Sequence, residues 1–249
     1  MEGPGVIEVG PSPPTICAVP HPTDLPTGQE KVTAVRSMFD AIAPRYDLVN
    51  RIMTFGLDVR WRRRALRELR LPPRTTVLDL ASGTGDFCRE LEGAGIRVIG
   101  VDLSLGMLQN ARTDSPLVQA DVLQLPAPDG SVDGVTCGFA LRNLVELGSF
   151  FDELARVVRP GGRIALLDVG EPTNPVLRWG HSLYFGKVVP LIGGLLSDPA
   201  AYRYLPRSVA YLPDPEVLLG MVRDAGFGDA QRTLLFPGAA QLLVGTRDG

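Results

Sequence analysis

The sequence predicts an α/β fold with a doubly wound, mostly parallel sheet that carries helices on both faces. From Thr75 onward, short apolar runs bounded by glycine alternate with helical segments, which is the pattern of strand-helix-strand units in a parallel sheet. The last two apolar runs follow one another without a helix between them, so an antiparallel hairpin is expected at the C-terminal edge. Ligands of such a sheet bind outside the carboxyl ends of the strands, near the point where the strand order reverses.

The first thirty residues differ from the rest of the chain. They contain seven of the 22 prolines, no Lys or Arg, and four acidic residues. Proline at this density with little apolar content does not form a core, so residues 1–30 are predicted to be a flexible tail. The tail has neither a cationic start nor a continuous apolar stretch, and we do not expect a secretory signal. Residues 31–249, with 25 basic and 24 acidic side chains, are predicted to be one domain.

Two helices are expected before the first strand. Apolar residues recur at helical spacing from Val32 to Ile42, and Pro44 ends that helix. A second helix begins near Asp58 and includes six arginines within residues 60–70. This arginine run is interpreted either as a solvated helix face or as a basic surface for anionic lipid or substrate.

The central elements follow in alternation. Strands are predicted at residues 77–81, 98–102, 117–120, 132–137 and 164–169. Helical pieces are predicted at residues 87–91, 107–111 and 150–158, the last of which ends before Pro160-Gly161-Gly162.

The C-terminal third contains an apolar segment and the closing hairpin. Residues 176–196 are mostly apolar but are interrupted by Pro190 and Gly193-Gly194. A kinked insertion is expected there, which either covers an apolar substrate or caps the sheet. A helix over residues 215–225 and hairpin strands at 231–236 and 241–245 complete the chain.

Composition excludes several classes of protein. The net charge of −3 lacks the basic excess of a nucleic-acid binder, and no apolar run reaches the roughly 18 residues of a membrane-spanning helix. Cys17, Cys88 and Cys137 are widely spaced, and only His21 and His181 accompany them. They are expected to be reduced thiols of a cytoplasmic protein, with no disulfide framework and no metal site.

The most informative stretch is a strand that leads into a glycine turn and then a helix. Gly83 and Gly85 let the backbone approach a ligand, and the helix presents free amide groups. Asp102 ends the next strand, 19 residues after Gly83, where a carboxylate accepts hydrogen bonds from both hydroxyls of an adenosyl ribose.

Two cofactors use this arrangement, a dinucleotide and S-adenosylmethionine. A dinucleotide needs a seat for its pyrophosphate, and its fingerprint has Gly or Ala where this chain has Cys88. S-adenosylmethionine has no phosphate, so the pattern favours it. Asp121 then accepts a hydrogen bond from the adenine amino group, and Val122 forms an apolar wall. Asp86, at the start of the following helix, is also interpreted as a helix cap.

The order of ASGTGD (81–86), VDLSLGML (101–108) and RVVRPGGR (156–163) resembles the S-adenosylmethionine-dependent methyltransferases with a Rossmann-like sheet. Three further blocks, MFDAIAPRYD (38–47), FALRN (139–143) and YRYLPRS (202–208), resemble the ubiquinone/menaquinone C-methyltransferase family. This resemblance covers residues 32–235. The chain departs from the family at Gly138, where serine is common, and at Asp168-Val169-Gly170, where Glu-Phe-Ser is usual.

The resemblance implies the residues of both binding sites. Cofactor contacts are implied at Thr84, Asp102, Asp121 and Val122, with Gly83 and Gly85 forming the turn. A substrate site is implied near Tyr46, Arg142, Asn143 and Tyr202.

Methyl transfer from a sulfonium to carbon needs an electron-rich ring, which a hydroquinone becomes when a hydroxyl loses its proton. We therefore expect Arg142 to stabilise the phenolate or to orient a water that accepts the proton. Asn143 and Tyr46 are expected to align the ring. The alternative for Arg142 is a structural ion pair beneath the fourth strand.

The leading functional hypothesis is C-methylation of a polyprenylated quinol, most simply demethylmenaquinol, at the cytoplasmic face of the membrane. Residues 176–196 and the arginine run are the candidate membrane contacts. A methyltransferase for a soluble aromatic or polyketide compound and a non-catalytic S-adenosylmethionine-binding protein remain alternatives. The oligomeric state stays open, with a homodimer as one candidate.

Overall fold

The computed structural model describes residues 27–189, 191, 204 and 207–249. Its strands are β1 (Thr76–Leu80), β2 (Arg97–Asp102), β3 (Leu117–Gln119), β4 (Val132–Gly138), β5 (Val158–Val169), β6 (Gln231–Leu235) and β7 (Ala240–Thr246). Its helices are α1 (Gly28–Ile42), α2 (Tyr46–Met53), α3 (Leu57–Leu69), α4 (Asp86–Gly93), α5 (Leu105–Gln109), α6 (Leu147–Val157), α7 (Pro175–Leu183) and α8 (Pro215–Asp224).

The seven strands form one sheet in the order β3-β2-β1-β4-β5-β7-β6. Strands β1 to β5 are parallel, whereas β7 is antiparallel to both β5 and β6. The predicted fold class, including the antiparallel hairpin at the C-terminal edge, is confirmed. The order reverses between β1 and β4, and the carboxyl ends of these two strands are therefore where a ligand is expected.

Alternate residues of the central strands contribute to two apolar clusters on opposite faces of the sheet. On β5, Ile164 and Leu166 pack with Phe150 and Leu154 of α6 on one face. Ala165 and Leu167 belong to the cluster on the other face, together with Trp61 of α3. Because side chains alternate between two buried faces, the central strands are predominantly apolar on both of them.

The helix-to-strand boundary near residue 158 differs from the prediction. Val158 was expected to end the helix, but it is the first residue of β5, which pairs with Val132 of β4. The side chain is buried in the main apolar cluster, and burial alone does not separate the last turn of a helix from the first residue of a strand. The strand β5 also continues through Gly161 and Gly162, where the sequence predicted an interruption.

The N-terminal helix starts earlier than predicted. Helix α1 begins at Gly28, so residues 28–30 are helical and do not belong to the tail; residues 1–26 lie outside the described residues. The helix ends at Ile42, as expected, and Pro44 lies in a single tight turn that leads directly into α2.

The arginine run on α3 is not a uniform basic surface. Arg62 is buried and pairs with Asp58 of its own helix and Asp86 of α4, so a solvated face is wrong for this residue. Arg63 and Arg64 are exposed and pair with glutamates at 3.1 and 2.6 Å. The spacing of the arginines does not show which of them faces an acidic residue of a neighbouring helix and is therefore buried.

The apolar segment at residues 176–196 begins as a helix. Helix α7 runs to Leu183 and continues as one wider helical turn over Tyr184–Val188; the predicted interruptions at Pro190 and Gly193-Gly194 lie outside the described residues. Within the part of the chain that the structure describes, none of the helices has the length and apolarity needed to cross a membrane.

Candidate active site

A cavity that is partly open to solvent lies at the carboxyl ends of β1, β2 and β4. Five of the six residues expected to contact the cofactor line it, namely Gly83, Thr84, Asp102, Asp121 and Val122. The sixth, Gly85, lies beside the cavity as the residue that precedes α4. We call this the first cavity.

The glycine turn has the backbone that the sequence led us to expect. Gly83 and Gly85 have φ angles of +56° and +83°, a region that side-chain-bearing residues rarely adopt. A Cβ atom at Gly85 would also lie 2.9 Å from Cγ2 of Thr113. Both glycines are therefore needed for the chain to turn from β1 into α4.

Asp102 ties together the two loops that border the first cavity. Its carboxylate accepts hydrogen bonds from the amides of Gly83 and Ser104, both at 2.8 Å. Burial raises the pKa of the Asp102 carboxyl, and these amides act in the opposite direction. One carboxylate oxygen thus fixes the glycine turn, and the other fixes the loop after β2. Asp121, by contrast, is exposed, and its carboxylate accepts from the amide of Leu123.

Helix α1 covers the first cavity, and we call it the roof helix. Val32, Val35 and Phe39 of the roof helix line the cavity. Asp40 at its C-terminal end accepts hydrogen bonds from the hydroxyl of Ser104 at 2.6 Å and the amide of Gly106 at 2.9 Å. The roof is therefore attached to the same loop that Asp102 fixes.

A second acidic residue from the N-terminal block reaches the cofactor turn. Asp47 of α2 accepts a hydrogen bond from the hydroxyl of Thr84. Asp40 and Asp47 contact the loops around the first cavity, and sequence reasoning missed both. Both lie in block 38–47, which carries the family resemblance, but no role was assigned to the acidic residues of that block.

Asp79 is a buried acid in the middle of β1, and sequence reasoning also missed it. It lines the first cavity, accepts a hydrogen bond from Thr136 at 2.8 Å, and contacts the Cys88 thiol at 3.4 Å. Burial raises the pKa of Asp79 to about 7, although both hydrogen bonds act to lower it. Its position within a predominantly apolar strand is the feature from which the sequence could have identified it.

Asp79→Asn is expected to remove a pH dependence of stability. The folded protein favours the protonated carboxyl, because the folded-state pKa lies above the ordinary value. Below about pH 4 the carboxyl is protonated in both the folded and the unfolded state and does not penalise folding, and the wild type loses stability as the pH rises towards 7. A rise from 3.8 to about 7 corresponds to roughly 4 kcal/mol at 1.36 kcal/mol per pKa unit. Urea unfolding at pH 4.5, 6 and 8 gives the free energy of unfolding of both proteins. The stability of the variant relative to the wild type should increase from pH 4.5 to pH 8, and parallel pH profiles would contradict this.

A second cavity adjoins the first and has a predominantly apolar lining. Helix α2 contributes Met53, and α7 contributes Val176 and Leu177. Tyr46 and Phe139 line both cavities. These two aromatic side chains are the wall that the cavities share.

Arg142 lies at the second cavity, on the turn Leu141–Asn143. Its Nη1 pairs with Asp168 at 2.5 Å and donates to the carbonyl of Phe139 at 2.7 Å, and its Nε donates to the hydroxyl of Ser208 at 3.1 Å. Asp168 is fully buried. Arg142 therefore both forms a structural ion pair and lines the second cavity. Asp168 is a further residue to which the sequence assigned no role.

Asn143 and Tyr46 face the first cavity. The side-chain oxygen of Asn143 accepts a hydrogen bond from the hydroxyl of Tyr204 at 3.3 Å. Tyr46 packs edge to face against Phe39 of the roof helix, and burial raises the pKa of its hydroxyl. Tyr202, the other implied substrate residue, lies outside the described residues.

A buried charge cluster forms one wall of the first cavity. The guanidinium of Arg62 pairs with Asp58 at 2.6 Å and with Asp86 at 3.1 Å, and it lies over the rings of Phe87 and Phe139. Gly85 is the N-cap residue of α4 and Asp86 is the first residue of the helix, so the interpretation of Asp86 as the cap is wrong. Its carboxylate holds α3 against α4.

The structure also accounts for glycine at position 138, where the related family commonly has serine. A Cβ atom at Gly138 would lie 3.0 Å from Cε2 of Phe87. The phenyl ring therefore occupies the space that a larger residue would need.

The sheet order, the glycine turn and the carboxylate at the end of β2 together define a methyltransferase of the class with a Rossmann-like sheet. Among solved structures, the putative methyltransferase bound to the Trm112 activator of Haloferax volcanii superposes with a TM-score of 0.62 at 23% identity. The match covers 86% of this chain and 98% of that one. This similarity concerns the fold.

Sequence comparison is more specific. A sequence model of the ubiE/COQ5 methyltransferase family matches residues 27–247, and the chain belongs to this family. A demethylmenaquinone methyltransferase of Thermus thermophilus is 42% identical over 220 residues, 84% of this chain and 100% of that protein. The ubiquinone/menaquinone biosynthesis C-methyltransferase UbiE of Syntrophotalea carbinolica is 42% identical over 221 residues, 85% of this chain and 93% of that protein. The resemblance noted in the sequence is confirmed.

Proposed function

We propose that the protein transfers the methyl group of S-adenosylmethionine to a ring carbon of a polyprenylated quinol, converting demethylmenaquinol to menaquinol. The observation that supports this most directly is the pair of adjoining cavities. The first has the turn and carboxylates suited to an adenosyl group, and the second is apolar and contains one buried arginine. The names of the relatives agree with this substrate.

The first cavity suits the cofactor in its residues as well as its position. Ser82 lines it, and the Ser82 hydroxyl is buried without a hydrogen-bond partner among the described residues. Such an unsatisfied group is costly unless a ligand completes it. Asp102 would hold the ribose hydroxyls, Asp121 and Val122 the adenine, and the glycine turn the amino-acid part. The bound cofactor supplies an electrophilic methyl group.

The second cavity explains how a ring carbon becomes nucleophilic. Arg142 is held in place by Asp168, and its Nη2 makes no hydrogen bond to another described residue. Nη2 would donate to a quinol hydroxyl and stabilise the phenolate that forms when the proton passes to water. Tyr46 and Phe139, on the shared wall, would hold the ring between Arg142 and the methyl group. Most of the catalysis is therefore positioning in a water-poor site.

The test is incubation of the purified protein with labelled S-adenosylmethionine and a short-tailed demethylmenaquinol. Labelled menaquinol is expected from the reduced substrate and no product from the quinone form, because the quinone has no hydroxyl to ionise. Methylation of soluble phenols without any quinol product would favour the aromatic-compound alternative. Cofactor binding by calorimetry with no methyl transfer would favour the non-catalytic alternative.

The same proposal includes contact with the membrane that holds the quinol tail. Three side chains that line the second cavity are also exposed, Phe55 at 77%, Val176 at 75% and Leu177 at 46%. Trp179 of α7 is exposed at 71%. Exposed apolar residues around an apolar cavity suit a surface that rests on lipid. Arg62 has no part in this contact because it is buried.

The double variant Phe55→Ser, Trp179→Ser is expected to weaken co-sedimentation with anionic vesicles by at least about tenfold, because about 0.8 kcal/mol is lost per withdrawn CH₂ group. Val217→Ser, on α8, is the matched control, since Val217 is an exposed apolar residue that lines neither cavity. Wild-type protein that stays in the supernatant at low salt, or a control that loses as much binding, would speak against the contact.

A further inference from the structure

Lys31 is a buried lysine near the start of the roof helix, and only 3% of it is exposed. Its ammonium donates hydrogen bonds to the carbonyl oxygens of Arg142 at 3.0 Å and Leu144 at 2.8 Å. The same ammonium lies 3.5 Å from the ring centroid of Tyr211. Burial lowers the pKa of Lys31 to about 8, so the side chain is protonated at neutral pH.

These contacts join three parts of the chain that are far apart in sequence. The roof helix carries Lys31, and the turn Leu141–Asn143 carries Arg142, which is assigned to the acceptor ring. Tyr211 belongs to the turn Val209–Tyr211. The roof helix is attached a second time by Asp40, at the loop after β2. Between the two attachments lie Val32, Val35 and Phe39, which line the first cavity.

The choice of residue is informative. Of the 25 cationic side chains, 23 are arginine, and Lys31 is one of two lysines. A compact ammonium can direct separate donors at two carbonyl oxygens while it rests on a ring face, whereas a planar guanidinium has its donors in one plane. The environment of Lys31 therefore suits a lysine in a chain that uses arginine almost everywhere else.

We propose that Lys31 is a positioning residue for methyl transfer, whose ammonium fixes the turn Leu141–Asn143 against the roof helix. The turn then presents Arg142 to the second cavity and Asn143 to the first, while the roof covers the cofactor. This inference rests on the proposed function, since it assigns the turn to the acceptor. Phe139, two residues before the turn, has a positive φ of 61°, a conformation that costs free energy in a residue with a side chain and persists only where surrounding contacts hold it.

The first test is Lys31→Met, which keeps the length of the side chain and removes its donors. Turnover of the short-tailed demethylmenaquinol at pH 7 is expected to fall by about 30-fold, because displacements of 1 Å at a reacting centre cost up to about 10²-fold. The Kd for S-adenosylmethionine should rise by no more than about threefold, since Asp40 still holds the roof. Gln29→Met, an exposed position on the same helix, is the control and should change neither.

Hydrogen exchange gives a measurement that does not depend on activity. The amides of Asn143 and Leu144 donate to the carbonyls of Ala140 and Leu141, and in Lys31→Met they should exchange faster than in the wild type while β4 and β5 keep their protection. If the wild type methylated no quinol, the proposed function would fail, yet the link between Lys31 and the turn would still be readable from this exchange.

A second variant keeps the test decisive if Lys31→Met folds poorly. Tyr211→Leu keeps the ammonium and its two carbonyl partners but removes the ring face, and turnover should fall about threefold to tenfold, again with little change in cofactor affinity. Turnover within twofold of the wild type in both variants would overturn the proposal. So would a loss of turnover matched by an equal loss of cofactor affinity, or unchanged exchange at Asn143 and Leu144.

Discussion

Arg142→Met is expected to lower turnover of demethylmenaquinol by about 10²- to 10³-fold, the usual cost of losing a donor to a developing oxyanion. The same change leaves Asp168 as a buried carboxylate without its cation, which should lower the free energy of unfolding by about 3–5 kcal/mol. Steady-state kinetics and urea unfolding measure the two effects separately.

The double variant Arg142→Met, Asp168→Asn distinguishes a catalytic from a purely structural arginine. In the wild type the two carboxylate oxygens of Asp168 accept separately from the backbone amides of Arg142 and Val169. The side-chain oxygen of asparagine can still accept from one of them, and no buried charge remains. Most of the stability should return, but the turnover should not. Recovery of both together would mean that Arg142 acts only through its ion pair.

Asp102→Ala is expected to weaken binding of S-adenosylmethionine by at least about 10²-fold. The variant loses the ribose acceptor and also releases the amides of Gly83 and Ser104, and each hydrogen bond to a charged group contributes about 1.5–3 kcal/mol. Because the two loops lose their common partner, the glycine turn should also lose protection from hydrogen exchange. Isothermal titration calorimetry at pH 7.5 gives the affinity.

The matched control for this prediction is Asp114→Ala. Asp114 is an exposed acid beyond β2 that does not line the first cavity, and its removal changes the net charge equally. The control should bind the cofactor as the wild type does. Equal weakening in both variants would attribute the effect to charge and not to the two amides, and unchanged affinity in Asp102→Ala would remove Asp102 from the cofactor site.

Sequence periodicity predicted the strands of the sheet but not the contacts that attach the roof helix. The strands were predictable because apolar runs alternate with glycine turns, and the two carboxylates at strand ends marked the first cavity. Lys31 and Arg62 could not be assigned in this way. Both are cations on helices, and what buries them is a partner more than twenty residues distant in sequence, Arg142 in one case and Asp86 in the other.

The same limit explains which acids were found. Asp102 and Asp121 follow strands and were recognised by position, whereas Asp40 and Asp47 lie on helices where an acid is usually solvated. Asp168 lies at the end of a buried strand, and only its contact with Arg142 gives it a role. The role of each of these acids depends on the residue that it contacts in the folded protein, and local sequence patterns do not reveal that contact.

The shared wall of Tyr46 and Phe139 has a consequence for how this enzyme can diversify. Among the described residues, every one that lines the first cavity precedes residue 146, whereas about half of the lining of the second comes from residues 169–239. Under the proposed function, mutations late in the chain would therefore reshape the acceptor site while the donor site keeps its form. The C-terminal part of the molecule is where a new acceptor specificity would be selected, with the methyl donor retained.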